Sequence, residues 1–200
     1  MNGTLALTYD DGPDPRWTEP LLALLRESGA RATFFTLAPS AAANPALIER
    51  ILGEGHEVGF HCCRHVRHSE LSAREIADDL AAGLSLLRSV GAEPRAWRAP
   101  WGVETEDTRR LAAANELRLW RWTRDSHDWR GEAAGEMRAR IERQGGLGDG
   151  DVVLMHDGLG PGAERDGCEE TLLLSGALIA EARQLGLALV PVGELAGAAA

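Results

Sequence analysis

The chain has 200 residues, 44% of them hydrophobic and 26% charged, proportions that exclude collagen-like, coiled-coil and largely disordered architectures. Its 31 acidic side chains against 21 basic ones leave a formal charge of −10, which repels phosphate backbones and anionic lipid and argues against a nucleic-acid or membrane-surface partner. Three cysteines make no even-numbered disulfide framework, no run approaches eighteen apolar residues and no export signal opens the chain, so the expectation is one monomeric domain in the reducing cytoplasm, or a secreted one if a leader has been trimmed from it.

Short apolar or β-rich runs near residues 4–8, 32–37, 57–60, 96–98, 118–123, 151–155 and 187–191 predict seven strands. Amphipathic stretches alternate with them. Asn44 and Pro45 open a helix that stops at Gly55, as an N-cap, a first-turn proline and a glycine terminator. Ser72 with Glu75 predicts a capping box on a helix running to about Val90, before Gly91. A further helix runs from about Glu170 to Leu185 and ends at Gly186. Seven strands and about six helices in alternation predict an α/β protein, a parallel barrel in which polar clusters gather after the strands. The Ala-rich tail after Leu195 is expected to fray.

Five polar clusters follow predicted strand ends. Thr8-Tyr9-Asp10-Asp11-Gly12-Pro13 sets two adjacent carboxylates in a turn, which also reads as a simple cap of the strand. In His61-Cys62-Cys63-Arg64-His65 the two histidines are four apart, a spacing that on one helical turn puts both imidazoles about 6 Å apart along the axis. That pair suits one metal if Asp11 supplies a third ligand; otherwise it is a surface coincidence. His56, His68 and His127 are read as solvated or hydrogen-bonded. Arg98-Ala99-Pro100-Trp101-Gly102 offers a guanidinium that clamps a carboxylate, or an ordinary turn arginine. Asp125-Ser126-His127-Asp128-Trp129 suits a sugar-binding wall and an acid that orients a histidine, and either tryptophan of Trp122 and Trp129 also reads as core. Leu154-Met155-His156-Asp157-Gly158 ends an apolar strand with a histidine able to move a proton near neutral pH.

Taken in order, TYDDGP, HCCRH, RAPWG, DSHDW and LMHDG resemble the five motifs of the polysaccharide deacetylases, the NodB-homology group of carbohydrate esterase family four, and the likeness runs from Leu5 to about Leu195. The resemblance implies a distorted (β/α) barrel with one divalent metal, zinc first and cobalt, nickel or manganese as alternatives, and removal of an N-acetyl group from an amino sugar. It assigns Asp11, His61 and His65 to the metal, Asp10 to the general base, Arg98 to holding that base and His156 to the general acid. Asp125 matches the carboxylate that orients His156, with Asp128 as second choice. Trp101 matches the backbone donor to the oxyanion, and Trp129 and Leu154 the walls of an acetyl pocket.

Three positions depart from the family pattern. Cys62 stands where a Ser or Thr steadies the metal loop, Phe60 replaces Asn, and Trp101 replaces Tyr. The leading expectation is a metal-dependent de-N-acetylase of N-acetylglucosamine-containing glycans or oligosaccharides. The alternatives are an amidase or deacylase for a small soluble N-acylated metabolite and a non-catalytic carbohydrate-binding relic, which would have lost the acid or the base.

Overall fold

In the computed structural model, which describes residues 3–195, the first apolar run becomes strand β1, Thr4–Asp10. There follow α1 (Pro15–Ser28), β2 (Thr33–Leu37), α2 (Ala38–Ala43), α3 (Pro45–Gly53), β3 (Glu57–Cys62), α4 (Ala73–Ser89), β4 (Ala96–Trp97), α5 (Glu106–Ala114), β5 (Arg118–Leu119), β6 (Arg124–Asp125), α6 (Ala134–Arg143), β7 (Val152–His156), α7 (Glu169–Gln184) and β8 (Ala188–Leu189). The tail after Leu195, expected to fray, lies outside the described residues.

Every strand pairing is parallel, in the order β5-β4-β3-β2-β1-β7-β6, which gives the distorted (β/α) barrel expected. Strand β8 pairs with Thr4 and Leu5, and the Arg31 N–H donates to Leu189 O, so β8 wedges between the beginnings of β1 and β2. The run expected as one strand over 118–123 is divided. Its first part pairs with β4, its continuation with β7, and the chain between crosses the open seam of the barrel: Trp120 N–H donates to Trp97 O, whereas Thr123 N–H donates to Val152 O. At the seam the carbonyls of Trp120 and Arg121 accept from the Arg98 side chain, so a guanidinium replaces a neighbouring strand there.

Alternation along β1 separates two cores. Leu5, Leu7 and Tyr9 face the helices, while Ala6 joins Phe35, Ala96, Val152, Val190 and Val192 inside the barrel, with Trp120 and Trp122 against them. The same parity turns Thr8 and Asp10 inward: both reach the Arg98 guanidinium, which stacks over Phe35. The Ser72–Glu75 capping box forms as expected, with Ser72 N–H donating to Glu75 Oε2 at 2.8 Å. Asn44 does not cap α3; its Nδ2 donates to Ser40 O in the preceding short helix, because α2 and α3 abut without a linker.

Two of the non-site histidines are buried. His56 accepts the Ala32 N–H through Nδ1, and His68 Nδ1 pairs with Thr108 Oγ1 at 2.8 Å. Burial pushes both imidazoles down to about 4. The unfolded chain therefore takes up these protons first, near 6.5, so the stability that neutral burial contributes is present above that pH and is lost progressively as the pH falls from 6.5 to 4. Between pH 7 and pH 5 the two histidines together are expected to cost about 4 kcal/mol of unfolding free energy. Urea titrations of the parent, His56→Gln and His68→Gln at the two pH values check this, because Asp157 and His156, both pushed up, act in the opposite direction over that range; the same pH dependence in all three proteins would contradict it.

Candidate active site

Asp10, the last residue of β1, is 3% exposed and its Oδ1 accepts from Arg98 Nη1 at 2.7 Å. The same Nη1 donates to Thr8 Oγ1 at 2.8 Å, and the remaining guanidinium nitrogens reach the two seam carbonyls. Burial draws the fully enclosed Arg98 below its ordinary value and the Asp10 charge opposes this. An always-charged fork thus holds one carboxylate oxygen in a fixed direction.

Asp11 is the next residue, in the left-handed region at φ 70°, so that adjacent carboxylates diverge. Its Oδ1 lies 3.6 Å from His61 Nε2 and 3.5 Å from His65 Nε2. The two histidines do not share a helical turn. His61 belongs to β3, which continues to Cys62, and His65 comes back from the irregular loop that follows, so the ring centroids are 5.0 Å apart. His61 Nδ1 is hydrogen-bonded to Arg98 O at 2.7 Å, which sets the tautomer and leaves Nε2 free. Burial holds His65 below the ordinary imidazole value, with His61 adding to the effect. Asp11 Oδ1 is buried with no hydrogen-bond partner, and the ligand atoms of the three residues lie within 4.8 Å of one another. Two imidazole nitrogens and a carboxylate oxygen that converge without a protein donor fit a divalent first-row cation. Cys62 is not in this group; it is buried, and burial, with nearby carboxylates, pushes its thiol far above the ordinary value.

His156 ends β7 directly opposite Asp10 in the β1–β7 register. Its carboxylate partner is Asp128 and not Asp125. His156 Nδ1 lies 2.7 Å from Asp128 Oδ1, and the His156 N–H donates to Asp128 Oδ2 at 2.9 Å. The reason is register. Asp125 pairs with Leu154, two residues short of His156, and the chain must climb through His127, at φ 53°, before a carboxylate reaches that level. Asp125 instead accepts the His127 N–H at 2.9 Å and lines the cleft. Burial works against charge on His156, but the Asp128 carboxylate outweighs it and the imidazole is pushed up to about 9. Asp128 itself is held well below the carboxylate range despite burial, by His156, Arg165 and Thr171.

Arg165 had no signature in the sequence: it stands in the polar loop just after the fifth motif, where a single arginine carries no pattern that marks a contact. Its Nη1 donates to Asp128 Oδ2 at 2.9 Å and its Nη2 to His156 O at 3.0 Å, so one buried side chain ties the loop after β7 to both members of the dyad. That loop also roofs the cleft. A Cβ on Gly160 would sit 2.0 Å from Asp11 Oδ2, so only glycine lets the backbone pass there.

Trp101, Trp129 and Leu154 all line the cleft, together with Trp122 and His127. Trp101 is 42% exposed at φ 59°, edge-on to His65 with Arg67 over its ring. The proposed acetyl-pocket residues come together because Leu154, Asp125 and the short helical turn Asp128–Arg130 sit on adjoining strand ends.

A curled parallel sheet with its chemistry at the carboxyl ends of β1, β3, β4 and β7 defines an α/β-barrel protein with a hydrolase type of site. The chain belongs to the polysaccharide deacetylase family, whose sequence model matches residues 2–120. It is 32% identical over 193 residues to a peptidoglycan-N-acetylglucosamine deacetylase of Bacillus cereus, covering 96% of this chain and 87% of that one. It is 34% identical over 167 residues to a chitooligosaccharide deacetylase of Bradyrhizobium, covering 82% and 75%. Among solved structures it is similar to a family 4 carbohydrate esterase from Streptomyces lividans in complex with acetate, at a TM-score of 0.82 and 29% identity over 94% of this chain and 91% of the other. Peptidoglycan deacetylase PdaC of Bacillus subtilis superposes at a TM-score of 0.84 with 27% identity, covering 97% and 90%.

Proposed function

We propose that this protein is a metal-dependent de-N-acetylase that acts on N-acetylglucosamine-containing glycans or oligosaccharides. What supports this reading most is the β1–β7 register, which sets a carboxylate and a histidine side by side at the edge of the Asp11, His61 and His65 cluster. The names of the relatives from Bacillus cereus and Bradyrhizobium supply the substrate class.

Asp11, His61 and His65 would hold the cation, zinc before cobalt, nickel or manganese. When bound there it would polarise the amide carbonyl and acidify water. Asp10, aimed by Arg98, takes the proton from the attacking water. The Trp101 N–H donates to the oxygen that gains charge. As the C–N bond breaks, His156 gives its proton to the departing amine, and its elevated pKa keeps that proton in place at neutral pH. Acetate and the free amino sugar leave. Trp129 and Leu154 close the acetyl pocket, and their apolar walls exclude longer acyl chains by overpacking. The presence of base, acid and both of their holders argues against a binding relic.

Acetate release from chito-oligosaccharides and peptidoglycan fragments tests the proposal. The expected result is release that stops with chelator and returns with added zinc. Release indifferent to chelator would remove the metal from the mechanism, and no release from metal-loaded protein would remove the substrate class.

A further inference from the structure

The loop between the two metal-type histidines carries Cys62 and Cys63 where the family pattern has a steadying hydroxyl, yet His65 is well placed. We infer that Asp79, on the inner face of α4, is the positioning residue that sets the distance between His61 and His65 and so governs metal affinity. The inference rests on the metal reading of that cluster.

The loop has little of its own to hold it. Val66 N–H donates to Arg64 O at 2.8 Å, the Cys63 thiol donates to the Asp79 carbonyl at 3.6 Å, and the Cys62 thiol makes no hydrogen bond among the described residues. The successive N–H groups of Cys63 and Arg64 instead point at one carboxylate. Cys63 N–H donates to Asp79 Oδ2 at 2.9 Å and Arg64 N–H to Asp79 Oδ1 at 3.0 Å, with Arg64 Nε at 3.4 Å from the same Oδ1. Two consecutive amides form a small concavity suited to an anion, and here the protein fills it with its own side chain. Asp79 is only 9% exposed, so these bonds are shielded from competing water.

The helix that carries Asp79 has little freedom to shift. Ile76, Leu80, Leu84 and Leu87 lie in the core, and Gly83 abuts the Phe60 ring so closely that a Cβ would fall 2.2 Å from it. Phe60 immediately precedes His61 in β3. Helix α4 is therefore registered against the strand that supplies the first histidine, and through Asp79 it fixes the turn that supplies the second. His61 has its own anchor in the Arg98 carbonyl. The His65 ring has no such anchor, its Nδ1 being buried without a hydrogen-bond partner, so its place depends on the loop backbone that Asp79 holds, and loss of Asp79 frees it relative to His61. Outer partners of this kind typically account for a 10- to 100-fold effect on metal affinity.

Asp79→Asn is the informative change. An amide has one acceptor oxygen where the carboxylate uses two, so one of the two loop N–H groups must face an NH₂. Zinc affinity of the full chain, measured by competition with a chromophoric chelator, is expected to fall about 10-fold or more in Asp79→Asn and toward 100-fold in Asp79→Ala. The visible absorption of cobalt-loaded protein should change with the altered ligand geometry, while the metal-free protein melts somewhat lower, as one buried donor loses its acceptor, and its further rise on adding zinc shrinks. Arg64→Ala keeps both backbone bonds and is expected to bind zinc as the parent does. Should Asp79→Ala fail to fold, Asp79→Asn carries the test. Unchanged zinc affinity and cobalt spectrum in Asp79→Asn would overturn the inference, as would a drop in metal-free melting with affinity intact. A parent protein that takes up neither zinc nor cobalt would overturn the metal reading itself, and this inference with it, a result distinct from equal binding by parent and variant.

Discussion

Asp128→Asn is expected to lower turnover by about a thousandfold to ten-thousandfold, as removal of the orienting carboxylate does in comparable histidine dyads, while Asp125→Asn loses only a small fraction of that. Asp128 uses both oxygens. Oδ1 takes His156 Nδ1, and Oδ2 takes the His156 N–H, Arg165 and Thr171. An amide can satisfy one side only: turned one way its NH₂ meets the donors on the Oδ2 side, and turned the other it faces His156 Nδ1, which can then accept only as the neutral, wrongly oriented imidazole. The charge that raises His156 also disappears, so its pKa should fall from about 9 and the alkaline limb of the kcat profile should move to lower pH. Rate against pH for both variants, with metal content measured in parallel, checks the assignment. A full loss in Asp125→Asn with an unmoved profile in Asp128→Asn would reverse the two roles.

Asp10→Asn is expected to keep a full equivalent of metal and lose about 10²–10⁴ in turnover, because the proton acceptor goes while Asp11, His61 and His65 remain. The asparagine oxygen can still accept from Arg98 Nη1, so the barrel interior keeps its shape. The variant nonetheless leaves Arg98, with no exposed surface, short of its countercharge, and breaking a buried ion pair costs about 3–5 kcal/mol when the partner is lost outright. A lowered melting temperature should therefore accompany the rate loss. Elemental analysis and single-turnover acetate release separate the effects: unchanged rates would dismiss Asp10 as the base, and loss of metal would place it among the ligands.

Much of this architecture is legible in the chain because its signals are local. Alternation in β1 already separates Leu5, Leu7 and Tyr9 from Ala6, Thr8 and Asp10, and each polar cluster follows a short apolar run. The Ser72–Glu75 box names its helix because both partners lie within one turn. The segment 118–123 misled for the opposite reason. Its composition suits one strand, but its two halves pair with β4 and β7 on either side of the seam, and pairing partners are not written in a strand's own residues.

The same division runs through the site. Sequence alone determined which residue types are present and which strand ends carry them: Asp10 and Asp11, the His61 and His65 pair, Arg98 and His156 follow from motif and period. Tertiary structure decided which of them touch. Two candidate carboxylates three residues apart are indistinguishable by composition, and only the register of β6 on β7 brings Asp128, not Asp125, to His156. Arg165 and Asp79 act from outside the five motifs, where a single charged residue on a polar stretch looks like any other. Spacing along the chain specifies direction over a turn or a strand; contact between elements depends on how the whole sheet curls, and that is settled by the packing of all of them together.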